Sequence, residues 1–165
     1  MMKSRDFGFL RRAIALAREH AQLGLDPFGA VLVLDGEIVA ETGDQSVRYA
    51  DPTAHAELIL ISEYCRKTTQ ISLKNHTLYS STEPCVMCSG AIHWAKISRV
   101  VFSVSQVSLQ QFSGGKAKPS ASELIHVGGK SIEVVGPMLE EEGLAVFREF
   151  PFLSKAERRR RWEER

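Results

Sequence analysis

The sequence is poor in cysteine, in excess charge and in long apolar runs. Three cysteines among 165 residues cannot build a disulfide framework, which excludes the small disulfide-stapled secreted folds and fits a reducing, cytoplasmic setting. A formal net charge of +1 leaves no global field, so nothing in the overall charge argues for a nucleic-acid or membrane partner. No stretch approaches the roughly 20 apolar residues of a membrane span. Arg11, Arg12, Arg18 and Glu19 interrupt any apolar run near the start, so no signal peptide is expected. Internal repeats are absent too. The rest is ordinary for a globular protein, 44% hydrophobic and 25% charged. This length favours one domain over residues 1–165, with a core at about 6–150 and a charged helix or tail at 154–165.

Helical and strand patterns alternate along the chain. Phe7, Leu10, Ile14 and Ala17 follow helical spacing from Asp6, a candidate N-cap, to about Leu23 before Gly24. Pro27–Leu34 reads as a buried strand, Asp35-Gly36 as a hairpin turn, and Glu37–Thr42 as the returning strand. A polar loop over Gly43–Ala50 leads to a helix over about Thr53–Lys67, with Leu58, Ile59 and Ile61 as core candidates. Thr77–Ser81, Arg99–Val104 and Ile132–Val135 read as strands, Val86–Ala95 and Met138–Phe150 as helices. Gln106–Ser122 reads as a loop with room for a short helix. The pattern predicts an α/β class.

Chemistry concentrates in two short stretches. Ala54-His55-Ala56-Glu57 offers an imidazole and a carboxylate, and Pro84-Cys85-Val86-Met87-Cys88 offers two thiols about thirty residues later. Catalytic zinc takes three protein ligands of the thiolate and imidazole type and keeps a fourth position for water. His55, Cys85 and Cys88 make three, and a metal-bound water loses its proton near neutral pH. Glu57 is the candidate general acid/base beside the metal. Pro84 reads as the first residue of a helix, which puts Cys85 and Cys88 on one face of a first turn whose dipole favours thiolates. A C-x-x-C pair alone is as readily a structural zinc or redox pair, and the third cysteine, Cys65, reads as packed.

Together the H-x-E and P-C-x-x-C stretches form the pattern of zinc nucleobase deaminases. The chain resembles the cytidine deaminase superfamily. Within it, DPTAHAE (51–57) and EPCVMCSGAI (83–92) are most similar to the branch of guanine deaminases, tRNA wobble-adenosine deaminases and fungal cytosine deaminases. The resemblance runs from about residue 7 to 104 and more loosely to about 150. It implies a three-layer α/β/α fold with a mixed five-stranded central sheet, one Zn2+ per chain, and a homodimer. It also implies substrate positioning by the backbone around Ala56 and Glu83.

The surroundings bear on which base is bound. Phe28 is either core or an aromatic wall for a ring, and Trp94 either lines the pocket or packs. The Pro27–Val31 and Ala91–Ala95 stretches are similar to the guanine deaminases. His93 is a weak candidate for a further ligand. At Asp44 the family usually carries an asparagine. An amide donates and accepts, whereas a carboxylate only accepts, so Asp44 suits an N–H/NH2 edge such as that of guanine or an amino-triazine. Gln45 or a shifted loop is the alternative. The stretch after the fourth strand fits neither subfamily, with Gln106 where the tRNA enzymes carry Asp. The last strand and helix resemble the tRNA enzymes, and Arg158–Arg161 with Trp162 either meet phosphates or form a solvated face. The expectation is therefore a zinc-dependent deaminase of a small nucleobase or nucleoside, a guanine-like purine first. The alternatives are a tRNA adenosine deaminase and a non-enzymatic zinc domain that binds a partner.

Overall fold

The strands carry the fold because their side chains alternate between two apolar faces. In the computed structural model, which describes residues 4–114, 118–126 and 131–164, β1 (Gly29–Leu34) sends Ala30 and Leu32 to one face and Val31 and Val33 to the other. β3 (Thr77–Thr82) splits Leu78 from Tyr79 in the same way, and β4 (Arg99–Val104) splits Val100 from Val101. Each face must be covered, and helices cover both. The sheet has the order β2-β1-β3-β4-β5, with β2 (Glu37–Gly43) and β5 (Glu133–Val135) at its edges. β1 pairs antiparallel with β2 and β3, while β3–β4 and β4–β5 are parallel.

On the first face lie α3 (Ala56–Thr68), α4 (Val86–Ala95) and the short α6 (Ala121–Ile125), packed through Leu60, Ile92 and Ile125. On the second lie α1 (Ser4–Gln22) and α7 (Glu140–Glu149), packed through Leu10, Ile14 and Val146. The result is the expected three-layer arrangement around a mixed five-stranded sheet. Gly29 permits the close seat of α1, since a Cβ there would stand 2.3 Å from the Ala13 carbonyl oxygen. The hairpin turn sits at Asp35-Gly36, both with positive φ (52° and 83°), as a tight I′-type turn requires.

Several expectations are corrected. Asp6 is not an N-cap but lies within α1, where its buried carboxylate accepts from the Tyr79 hydroxyl at 2.7 Å and from Arg99 at 2.8 and 3.0 Å. Removing it would leave the Arg99 guanidinium, with a side chain only 12% exposed, facing Glu133 alone among these partners. Asp6→Ala is therefore expected to cost about 3 kcal/mol, read as a lower urea midpoint at unchanged slope.

Helix α3 begins at Ala56 rather than Thr53, because Asp51 satisfies the Thr53 N–H and hydroxyl in a turn of its own, at 2.8 and 2.7 Å. The later start turns Ala56, Glu57, Leu60 and Ile61 inward and leaves Leu58 and Ile59 half-buried. The loops hold three helices not placed from sequence: α2 (Ser46–Tyr49), α5 (Gln106–Ser113) and α6. Residues 115–117 of the expected loop lie outside the described residues. The charged end forms α8 (Lys155–Glu163). Among the described residues, no helix is long and apolar enough to cross a membrane.

Candidate active site

Two helix starts meet beyond the carboxyl ends of β3 and β4, the end of a parallel sheet where ligands bind. His55 is the N-cap of α3 and Cys85 the N-cap of α4, both with extended backbone. Cys85, not Pro84, holds that cap position, so the proline stands one residue before the helix rather than inside it. The caps place side chains at the positive ends of two helix dipoles, which favours thiolate over thiol. Cys88 follows one turn into α4 and is fully buried. His55 Nδ1 lies 3.6 Å from Cys85 Sγ and 3.9 Å from Cys88 Sγ. The three ligand atoms lie within 4.8 Å of one another and form a group able to hold a metal ion.

The electrostatics point the same way. The Cys85 thiol is pulled down to about 3, first by the hydrogen bond with Cys88 and then by His55. Cys88 is pushed upward by that same contact and by burial. His55 is raised to about 9, chiefly by its hydrogen bond to Cys85. Two sulfurs this close carry charge together only with a cation between them.

Glu57 completes the group. It is 6% exposed, and burial pushes its carboxyl upward. Its Oε1 accepts from the Ser80 hydroxyl at 2.9 Å, and its Oε2 lies 3.4 Å from Cys88 Sγ. One oxygen is thus anchored to β3 while the other stands on the side of the metal-holding group.

A cavity of about 90 Å3 opens over these residues. The structure brings Phe28, Asp44, His55, Glu57, Glu83 and Cys85 to its wall. Phe28 lines the cavity while packing on Phe147 and Phe152 at ring distances of 5.8 and 6.1 Å. Asp44 is buried, and its Oδ1 takes the Ser46 N–H (2.8 Å) and hydroxyl. The Glu83 side chain has a task of its own beside the backbone role that the resemblance implies. Its carboxylate accepts the first N–H of α5 (Gln106) and of α6 (Ala121), each at 2.8 Å, and its carbonyl accepts from the Gln106 amide.

One expected residue stands elsewhere. Trp94 is 78% exposed, because six positions after Cys88 it falls on the outer side of α4. Ala56 packs its methyl into the core, and the role that the resemblance implies there is one of the backbone. His93 donates from Nδ1 to the Ile125 carbonyl at 3.0 Å and is not in the metal-holding group. Sequence reasoning missed Thr82, Gln106, Leu109 and Lys118 as lining residues. Thr82 lies one residue beyond the strand expected over Thr77–Ser81 and ends β3 in the structure; the other three sit in the stretch read as a loop, which has no motif. A larger groove of about 300 Å3, between the end of α1 and residues 149–153, has no metal-holding set.

Residues 3–104, which hold all four groups, match the sequence model of the cytidine and deoxycytidylate deaminase zinc-binding region. The chain belongs to this deaminase family. It is 33% identical over 148 residues to a probable cytosine deaminase of Schizosaccharomyces pombe, covering 87% of this chain and 90% of that one. It is 45% identical over 96 residues to the guanine deaminase of Bacillus subtilis, covering 58% of this chain and 62% of that one. A solved chain of a tRNA:A34 deaminase, which edits A to I at the wobble position of transfer RNA, superposes with a TM-score of 0.68 at 29% identity, covering 85% of this chain and 99% of that chain. Family members of all three kinds are hydrolases of C–N bonds, so this deaminase-family chain is an enzyme rather than a mere zinc-binding interaction domain.

Proposed function

We propose that the chain, acting as one domain, is a zinc-dependent hydrolytic deaminase of a small nucleobase or nucleoside, with a guanine-like purine as first substrate. The observation that carries this reading is Glu57, a buried carboxylate set beside His55, Cys85 and Cys88 at a cavity of about 90 Å3. The donor set fits zinc. A tetrahedral ion about 2.3 Å from sulfur and about 2.0 Å from nitrogen spaces those atoms by about 3.5 Å, and the two S···N distances are 3.6 and 3.9 Å. When bound, the metal supplies a water that ionises near neutral pH.

The protein moves the protons. Ser80 holds Glu57 Oε1, so Oε2, on the Cys88 side, is the oxygen that would take a proton from the attacking water and pass it to the ring nitrogen beside the amino-bearing carbon. Oε2 would then take the second proton, from the newly added hydroxyl, and pass it to the departing amine. A C–O bond forms, the C–N bond breaks, and ammonia leaves. Burial, which raises the Glu57 pKa, suits a group that must hold a proton between two deliveries.

Asp44 reads the base. As an acceptor it favours a ring edge that presents N–H or NH2, as guanine does. Asp44→Asn is expected to lower the kcat/KM ratio of guanine to cytosine by about tenfold. Competition assays with both bases measure this, and an unchanged ratio removes Asp44 from the site.

We also infer a homodimer in the cytoplasm. Val86 and Trp94 expose 67% and 78% of their surface on one stripe of α4, with Gly90 between them. Such an apolar stripe calls for a partner surface, and free Cys65, Cys85 and Cys88 fit a reducing compartment.

The second reading, tRNA adenosine deamination, is favoured by Arg159–Arg161, exposed on α8. Against it, Arg159 and Arg160 are paired along the helix with Glu163 and Glu164 at 3.1 and 4.0 Å. Salt-sensitive tRNA binding that disappears with residues 155–165 would support it.

A further inference from the structure

We propose that Lys118 is a substrate-binding residue that holds an electron-rich oxygen of the substrate, either an oxo group of the ring or a phosphate. The inference rests on the deaminase reading above and adds the chemical class of substituent the base must carry.

Lys118 lines the same cavity as His55 and Glu57. The acidic groups around that cavity are held by partners other than Lys118. Glu83 spends both oxygens on the N–H groups of Gln106 and Ala121. Glu57 is held by Ser80 and faces Cys88. Asp44 is held through Oδ1 by Ser46. Among the described residues no acceptor pairs with the Lys118 ammonium, and its side chain is exposed at the cavity.

Its place in the chain is fixed from the far side. Two residues later Ser120 caps α6 in a reciprocal capping box with Glu123, the Ser120 N–H giving 2.7 Å to the glutamate and the Glu123 N–H giving 3.2 Å to the serine hydroxyl. The next N–H, of Ala121, is the one that Glu83 binds. Since Glu83 also directly precedes Pro84-Cys85, the segment carrying Lys118 is tied to the start of the cysteine helix. This accounts for a lysine from a motif-free stretch arriving at the cavity.

An ammonium has three donors and no acceptor. It can meet only an acceptor or an anion. The cavity therefore offers an acceptor at Asp44 and a donor at Lys118, which suits an amino-heterocycle that also carries an oxygen. Guanine and cytosine carry a ring oxo group; adenine and 2,6-diaminopurine do not. Lys118 is exposed, so a phosphate would meet it at the rim of the cavity.

The test is steady-state kinetics of the zinc-loaded full chain as wild type, Lys118→Ala and Lys118→Arg. The substrates are guanine and cytosine, their 5′-monophosphates, and the oxo-free bases adenine and 2,6-diaminopurine. The alanine variant is expected to raise KM about tenfold for the oxygen-bearing substrate with kcat nearly unchanged, and arginine to restore most of the loss. A change on the free bases assigns the contact to the ring oxo group. A change confined to the monophosphates assigns it to phosphate. An active wild type whose KM values stay within twofold in Lys118→Ala, or shift equally for the oxo-free bases, overturns the inference alone. A metal-loaded wild type inert on the whole panel overturns the underlying reading and the inference with it.

Discussion

Glu57→Gln is expected to reduce ammonia release by about a hundredfold to ten-thousandfold while leaving the metal in place. Glutamine matches the shape of the glutamate and keeps an oxygen for the Ser80 hydroxyl, which now donates to Glu57 Oε1 at 2.9 Å. It cannot take up and return a proton at the second position. The native carboxyl is buried to 6% exposure, so the neutral replacement also removes the cost of burying a charge. The thermal midpoint is then expected to stay level or rise. Metal content by elemental analysis, the midpoint and turnover should be taken on one preparation. Loss of metal together with activity would make Glu57 a ligand or a structural support instead.

The second large effect concerns the metal. Stripping the ion with a chelator, or Cys88→Ser, is expected to abolish turnover and lower the thermal midpoint by about 10 °C, with added zinc restoring only the stripped wild type. The magnitude follows from linkage: an ion present at several hundred times its dissociation constant stabilises the fold by roughly 3–4 kcal/mol, and about 1 kcal/mol corresponds to roughly 2–4 °C at this size. Cys88 is fully buried between the sheet and α4, so its loss is felt in the core as well as at the ion.

The pH dependence has a definite sign. The Cys85 partner holds the His55 ring protonated up to about 9, and Cys88 is held as a thiol. Both must release protons to become ligands, so affinity is expected to climb as pH rises. A metal affinity flat between pH 6 and 8 would contradict the ligand set.

The parts of the fold that were legible are those where local chemistry has one solution. Asp35-Gly36 allows a tight hairpin, and Arg99–Val104 is too rich in β-branched residues for a helix. Val86–Ala95 is bounded by a cysteine cap and the left-handed Lys96. The metal-holding group was legible because three ligands of two types and a carboxylate stand in a fixed order.

Illegible features depend on contacts distant in sequence. The short helices α5 and α6 have weak patterns of their own and start where one carboxylate, Glu83, meets both N-termini. Periodicity cannot anticipate that. Helix α3 starts three residues later than the pattern over Thr53–Lys67 predicts, because Asp51 closes a local turn on Thr53. Trp94 looked like a pocket residue by its neighbours in sequence, but its angular position on α4 points it away. Asp6 had the look of a cap and is instead the buried partner of Arg99, 93 residues away.

The most direct test of the central claim is ammonia release from guanine and cytosine by the zinc-loaded protein, with deacylated tRNA in parallel and Glu57→Gln as the control. The account predicts turnover of a free base that requires both the metal and Glu57. Release from tRNA alone, with both bases untouched, would contradict it and would make α8 a binding arm.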